Sequence, residues 1–554
     1  MALALMLPSV AAAQADLSLD LPLIGETTFS LTNTTMVRFR GNNYDLNAYD
    51  DDFFSLYERL DLVLQSQELR AEARVDAFVP QQVFLDSPCV IEGDARCYLD
   101  WDLRPERLAL RWTPGDWNIE AGDAQLVFGR GVALSFRKVD LLGIDTALRG
   151  GHVRYAGSNV QVGLHGGVVN PQNQDPIDLS IIREPTDIVG GATGRITMPG
   201  SVPVHIGAHA LHVAFEDDET SPYQNRHVSV AGWSIEAPAL FDGQLALYGE
   251  ANGMRRGFNL GEQGRVTSGR GLYGSAQLQL DNLTLLVEWK DYDNFLVAPS
   301  TTEGQAWRIY NAAPAVEFDG PQRLRGIGNQ RGGGVRMDYA FAPGPWMISL
   351  NSVAYGFHED PAHDAWDGWL VSHSWARLQK RAEYGEGLNW SFDLTAGGRF
   401  EYLMHSPADS NFGPGDLDRW MIHGRAELTL ASGDHSFDIA VEHRHERELR
   451  GEQAAEFQVG GATLTYSFGV PFTLALALRW TDFQAGVVER RAARAYNFLG
   501  GEFYPGLEAR VTFEPGTYLG LFVGQTPGGQ ICSGGVCRDA PPFEGGRLTF
   551  VGRL

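Results

Sequence analysis

Residues 388–403 read LNWSFDLTAGGRFEYL, and the reading of this stretch decides the fold. On an extended chain Trp390, Phe392, Leu394, Ala396, Phe400 and Tyr402 share one face. Ser391, Asp393, Thr395, Arg399 and Glu401 share the other. A period of two marks a strand with one apolar and one polar face. Residues 69–79 repeat the pattern, with Leu69, Ala71, Ala73, Val75 and Ala77 set against Arg70, Glu72, Arg74 and Asp76. Residues 472–480 do so again. A soluble sandwich also alternates, so two further features must separate it from a membrane barrel.

The first is where the aromatic residues fall. Trp289, Tyr292, Phe295, Trp346, Tyr355, Phe357, Trp366, Trp369, Trp375, Trp420, Trp480 and Phe483 crowd the expected strand ends. Amphipathic rings favour the headgroup level, and girdles at both rims are expected of a membrane barrel. The second is loop length. The pattern predicts about 24 strands, within 22–26, starting near residues 26, 53, 68, 103, 116, 146, 159, 188, 203, 226, 242, 268, 283, 331, 345, 366, 388, 417, 434, 455, 471, 506, 517 and 546. Every second connection is short, as at Pro114–Gly115, Asp281–Asn282 and Pro515–Gly516. Those between are longer: 41–52, 80–102, 124–145, 170–187, 217–225, 255–267, 295–330, 404–416, 484–505 and 525–545. Short periplasmic turns and long extracellular loops are the outer-membrane pattern. The sequence therefore predicts an all-β fold, a single large antiparallel transmembrane β-barrel, with both termini periplasmic. The closing stretch GRLTFVGRL alternates in the same way up to Leu554.

Composition agrees. The chain has 554 residues and no linker or low-complexity tract to divide it. One large barrel accommodates that length at roughly 20–25 residues per strand and connection, since a crossing strand needs about 9–11. Residues 1–15 are expected to be a signal peptide, an apolar run followed by small residues suited to a peptidase. Residues 16–554 are then the barrel, with outer-membrane lipid as its surroundings in a bacterial cell. No later run is long and apolar enough for a transmembrane helix. The first expected strand leaves no room for a plug-sized domain before it, which disfavours a TonB-type receptor. The formal charge of −25 argues against nucleic acid as a partner. The acidic runs 50–52, 217–219 and 359–360 read as solvated loops. Two close cysteine pairs, Cys89 with Cys97 and Cys532 with Cys537, sit in outward loops and read as local disulfides. Neither pair has the spacing of a zinc knuckle.

One long connection does not read as a surface loop: residues 128–151, FGRGVALSFRKVDLLGIDTALRGG. It mixes Val132, Leu134, Phe136, Leu141, Leu142 and Ile144 with basic side chains and glycines. Segment 124–145 is expected to fold inward against the barrel wall. Its candidate constriction or plug residues are Phe128, Gly129, Arg130, Gly131, Arg137, Lys138, Asp145 and Arg149. The elements F-G-x-G, G-I-D and R-G resemble a segment of an uncharacterised family of bacterial outer-membrane barrel proteins, a domain of unknown function. The resemblance implies an outer-membrane barrel and no activity.

No residues assemble a site for catalysis. GRGVALS lacks the ending of a phosphate loop, no nucleophile elbow is present, and His205, His209, His212, His443 and His445 have no ligand partners at defined spacing. No enzyme activity, metal or cofactor is expected. The expected function is a channel or transporter for small polar solutes, narrowed by loops 124–145 and 295–330. The alternative is a structural barrel that binds a protein partner in the envelope, its lumen filled or plugged. Loop 295–330 could serve as a constriction or as an outward docking surface.

Overall fold

The computed structural model describes residues 17–21, 25–41, 53–82, 101–139, 142–175, 181–182, 185–200, 202–216, 223–260, 263–298, 308–312, 314, 328–341, 344, 346–358, 369–384, 387–403, 417–450, 453–481, 502–533, 536–540 and 542–553. Twenty-four antiparallel strands, from Gly25–Arg40 to Phe543–Arg553, pair each with the next. The first and last then close the sheet on itself, in a register running from Thr32 opposite Arg553 to Arg40 opposite Gly545. Closure leaves no free edge to aggregate. A short strand, Leu17–Leu21, pairs with Gly25–Phe29, the part of the first strand that extends past the last. The first strand begins and the last ends at one rim, and that rim carries the short turns.

The strands form where the alternation puts them, and their burial is inverted relative to a soluble protein. In the strand Leu388–Leu403, Arg399 and Glu401 are 4% and 2% exposed, whereas Phe400 and Tyr402 are 42% and 45% exposed. Leu394, Ile422, Ile439 and Leu464 point outward in the same arc. A strand wall with this polarity suits hydrocarbon outside and a polar lumen inside. An outward Arg or Lys at the midplane would cost about 2–4 kcal/mol. Among the described residues no helix is long and apolar enough to cross a membrane.

Two expectations need correction. Residues 255–260 and 263–267 belong to strands, not to a loop: the strands Leu245–Leu260 and Gln263–Gln279 keep pairing to Leu260 opposite Gln263. The strands His435–Arg450 and Gln453–Phe468 likewise pair almost to their tip. Main-chain groups go on satisfying one another there, so a paired hairpin stands where a loop was expected. The aromatic girdle is also composed differently. Tyr292, Phe295, Tyr355 and Trp375 are buried and belong to the inner side, Tyr292 having the parity of the buried Glu288 and Lys290. Trp346 is exposed at the short-turn rim as expected, and the exposed rings there also include Trp112, Trp117, Phe241, Tyr339, Phe341, Tyr384, Phe437, Phe468 and Phe513, which the sequence reading did not name. The acidic runs 50–52, 217–219 and 359–360, and Cys89 and Cys97, lie outside the described residues. Cys532 and Cys537 are backbone register partners in a small hairpin, Gly529–Ser533 with Val536–Ala540.

Candidate functional site

A barrel of 24 strands encloses a wide lumen unless something fills it. Here parts of three long loops fold inward. In the first, Leu126–Phe128 pairs with Leu134–Phe136, and Lys138–Val139 pairs with Ile144–Asp145. Val132, Ala133, Leu134, Phe136 and Leu142 are completely buried. Leaving such side chains in water would cost about 1.5–3 kcal/mol each for the larger ones, which is why this loop cannot stay outside. Its apolar core is completed by inward residues of the wall, including Leu148, Val169, Val189, Leu211, Val230, Met254, Tyr273 and Tyr292.

The turn Phe128–Gly131 is docked on one carboxylate. The main-chain N–H of Arg130 donates to Glu250 Oε2 at 3.1 Å. Tyr248 Oη and Asn252 Nδ2 donate to the same carboxylate at 2.6 and 2.9 Å. Asn252 Oδ1 in turn accepts from His209 Nε2 at 2.6 Å. Arg130 lays its guanidinium over the rings of Tyr248 and Tyr273, at 4.2 and 5.8 Å, and donates to Ser275 Oγ at 3.2 Å. Phe128 meets the edge of His165 at 4.5 Å. The glycines are required. Gly129 has φ +58° and a Cβ there would collide with the Glu250 carboxylate; Gly131 has φ +85° and a Cβ would lie 2.6 Å from the carbonyl oxygen of Ala312.

The third loop is tied to the first. Ser135 N donates to Tyr310 O at 2.8 Å, Ala312 N to Gly131 O at 2.9 Å, and Asn311 Nδ2 to Val132 O at 3.0 Å. Residues 295–298 and 308–312 thus lie inside, which answers for these residues whether 295–330 folds inward. The second loop joins through Asp187, which accepts from Arg308 Nη2 at 2.9 Å and from the Tyr310 hydroxyl. Burial first, and then the Asp187 carboxylate, push the Tyr310 hydroxyl well above its ordinary value and keep it a donor. Asn173 N donates to Glu106 Oε2 of the wall at 2.7 Å.

At the far end of the first loop Asp145 is held by Arg74 and Arg107, at 3.1 and 2.9 Å. Arg74 also grips Asp76 at 3.1 Å. Burial raises the pKa of Asp145, but Arg107, Arg74 and Lys138 outweigh it and hold the carboxyl below its usual range. Lys138 stands opposite Asp145 in the small strand pair, and Arg137 O accepts from Thr146 N at 3.4 Å. Arg149 lies in the wall strand Ala147–Ala156 and binds Asp123 at 3.1 Å. It anchors the root of the loop and is not part of the plug body.

Sequence reasoning missed Glu250, Asp187, Tyr310, Arg74 and Arg107 as partners of this segment. The one signal was parity: Arg74 alternates onto the inner face, as does Glu250 in LALYGEANGM. The histidines separate. His209 is buried on the inner face, while His212 and His443 are exposed. Among the described residues no group of His, Cys, Asp and Glu could hold a metal ion.

The plug packs on the wall from the strand that carries Arg74 to the one that ends at Asp293. The next arc, from Arg336 to Gly460, stays lined with ion pairs and bounds a recess of about 520 Å3.

No protein-family model matches the chain, and no curated protein matches its sequence. Solved structures similar to it are membrane barrels. The siderophore receptor PirA from Pseudomonas aeruginosa has TM-score 0.49 at 8% identity, over 95% of this chain and 80% of that one. A BenF-like porin from Pseudomonas fluorescens Pf-5 has TM-score 0.37 at 10% identity, over 74% and 98%. Pseudomonas aeruginosa OccK3 (OpdO) has TM-score 0.37 at 12% identity, over 75% and 96%.

Proposed function

We propose that the chain is an outer-membrane channel or transporter for small polar solutes, with a lumen partly closed by its own inward loops. One observation carries this reading. The three loops pack on one arc of the wall, and the neighbouring arc keeps solvent-reached charges, such as Arg377 with Asp393 and Arg425 with Glu427. A barrel serving only as scaffold has no need for a charged, hydrated strip beside a built plug. Fixed lumen charges are what set selectivity in pores. The segment F-G-x-G…G-I-D…R-G, which contains the docking turn, would then be the mark of a barrel family built around this plug.

The test is conductance of the purified, refolded protein in a planar bilayer. Stable steps with ion selectivity are expected. A heat-modifiable, folded barrel that stays silent under all voltages would overturn the reading and favour a structural barrel with a protein partner.

A further inference from the structure

The recess of about 520 Å3 on the inner wall falls within the ~300–1,000 Å3 of small-molecule sites. Its charges come in pairs. Arg377 Nε lies 2.9 Å from both oxygens of Asp393, Arg336 Nε lies 2.9 Å from Asp338, and Arg425 is joined to Glu427. These groups still reach the lumen, the side chains of Arg377 and Arg425 being 38% and 58% exposed. Deeper in the same wall Ser349 and Asn351 are only 2% and 6% exposed, and Ser349 Oγ and Asn351 Oδ1 have no hydrogen-bond partner among the described residues. Buried polar atoms almost always have a partner, and the recess is the space from which one can come.

This wall discriminates by charge. An anion must displace a carboxylate from its guanidinium, and a cation must do the reverse. A zwitterion needs its two signs held apart, whereas here they alternate within one ion-pair distance. A neutral polyhydroxylated molecule needs neither. Each hydroxyl can donate to a carboxylate oxygen and accept from an N–H of Arg336 or Arg425.

We propose that this recess is a binding subsite for a neutral polyol of the sugar class. The proposal rests on the channel reading, since it makes the recess a station on the solute's path. Its test does not need an open pore: calorimetric titration of the full chain in detergent with glucose, maltose, sucrose and raffinose, against gluconate and arginine. At least one neutral sugar binds with a Kd of about 1 mM, and both charged probes bind roughly tenfold more weakly. Asp393→Asn and Asn351→Leu each weaken the sugar roughly tenfold, and Ser349→Ala provides a milder variant if either fails to fold. Absence of binding by all four sugars, equal binding of the charged probes, or undiminished binding in the folded variants overturns the subsite. Sugar binding by a chain that never conducts would instead overturn the channel and leave the subsite standing.

Discussion

The main-chain N–H of Arg130 donates to the carboxylate of Glu250, 120 positions later in the chain, at 3.1 Å. That contact fixes the tip of the first inward loop to a strand on the inner wall. It needs Gly129 to be a glycine, because a Cβ would occupy the place of the carboxylate. The plug is therefore docked through backbone and carboxylate as well as through its apolar core.

Replacing Glu250 by Ala leaves Tyr248 Oη, Asn252 Nδ2 and Arg130 N without their acceptor. A buried polar group left unsatisfied costs about 1–3 kcal/mol. Gly129→Ala adds about 1–2 kcal/mol of left-handed backbone strain to the same collision. Both variants are expected to keep the barrel and to speed hydrogen exchange in residues 126–136 by tenfold or more. Exchange at the wild-type rate in either would show that Glu250 does not hold the loop.

Asp145 fastens the other end of the loop to Arg74 and Arg107. Asp145→Ala leaves two guanidinium groups without it, at about 3 kcal/mol, the low end of the ~3–5 kcal/mol for breaking a buried pair, since Arg74 retains Asp76. Because the carboxyl titrates below its usual range, the tie is at full strength above the ordinary Asp value of about 3.9 and is lost as pH falls through the lower, folded value. Protease protection of residues 125–146 should be equal at pH 7 and pH 5 and decline below about pH 4. In Asp145→Ala that decline should be absent. A decline already between pH 7 and pH 5 would point to another group.

The two faces of one strand should respond oppositely to a charge. Leu394 faces outward and its neighbour Thr395 lines the recess. Leu394→Arg should destabilise the barrel in lipid vesicles by about 2–4 kcal/mol, read from denaturant unfolding, with Thr395→Arg well below that. Equal losses would contradict the assignment of inside and outside.

Cys532 and Cys537 are directly opposite across their hairpin. Facing antiparallel residues have Cα atoms about 4.5–5.5 Å apart, within the range a disulfide spans. Peptide mapping of oxidised protein should find these two joined within one fragment before reduction. Alkylation of both without reductant would show the pair to be open.

Much of this architecture is legible in the sequence, because a wall between lipid and lumen imposes strict alternation. Strand starts predicted near 53, 188, 283, 388, 417 and 517 coincide with observed ones. The hairpin at 255–267 was not legible, since RRGFNLGEQGRVT shows no sustained alternation of apolar and polar residues. The aromatic residues misled for a related reason: a ring at a strand end suits a membrane rim, but Tyr292 and Tyr355 face inward, Tyr292 within the plug's apolar core. The segment 126–136, packed against the inner wall, was legible as an apolar stretch. Its docking partners were not, since Glu250 is one carboxylate among many and only the closed wall brings it to Arg130.

The most direct test of the account replaces Arg130–Asp145 by a short Gly-Ser turn and compares single-channel conductance with that of the full chain. The plug reading predicts a folded, heat-modifiable barrel whose conductance rises severalfold and whose ion selectivity weakens. Unchanged conductance in a correctly folded variant would contradict it.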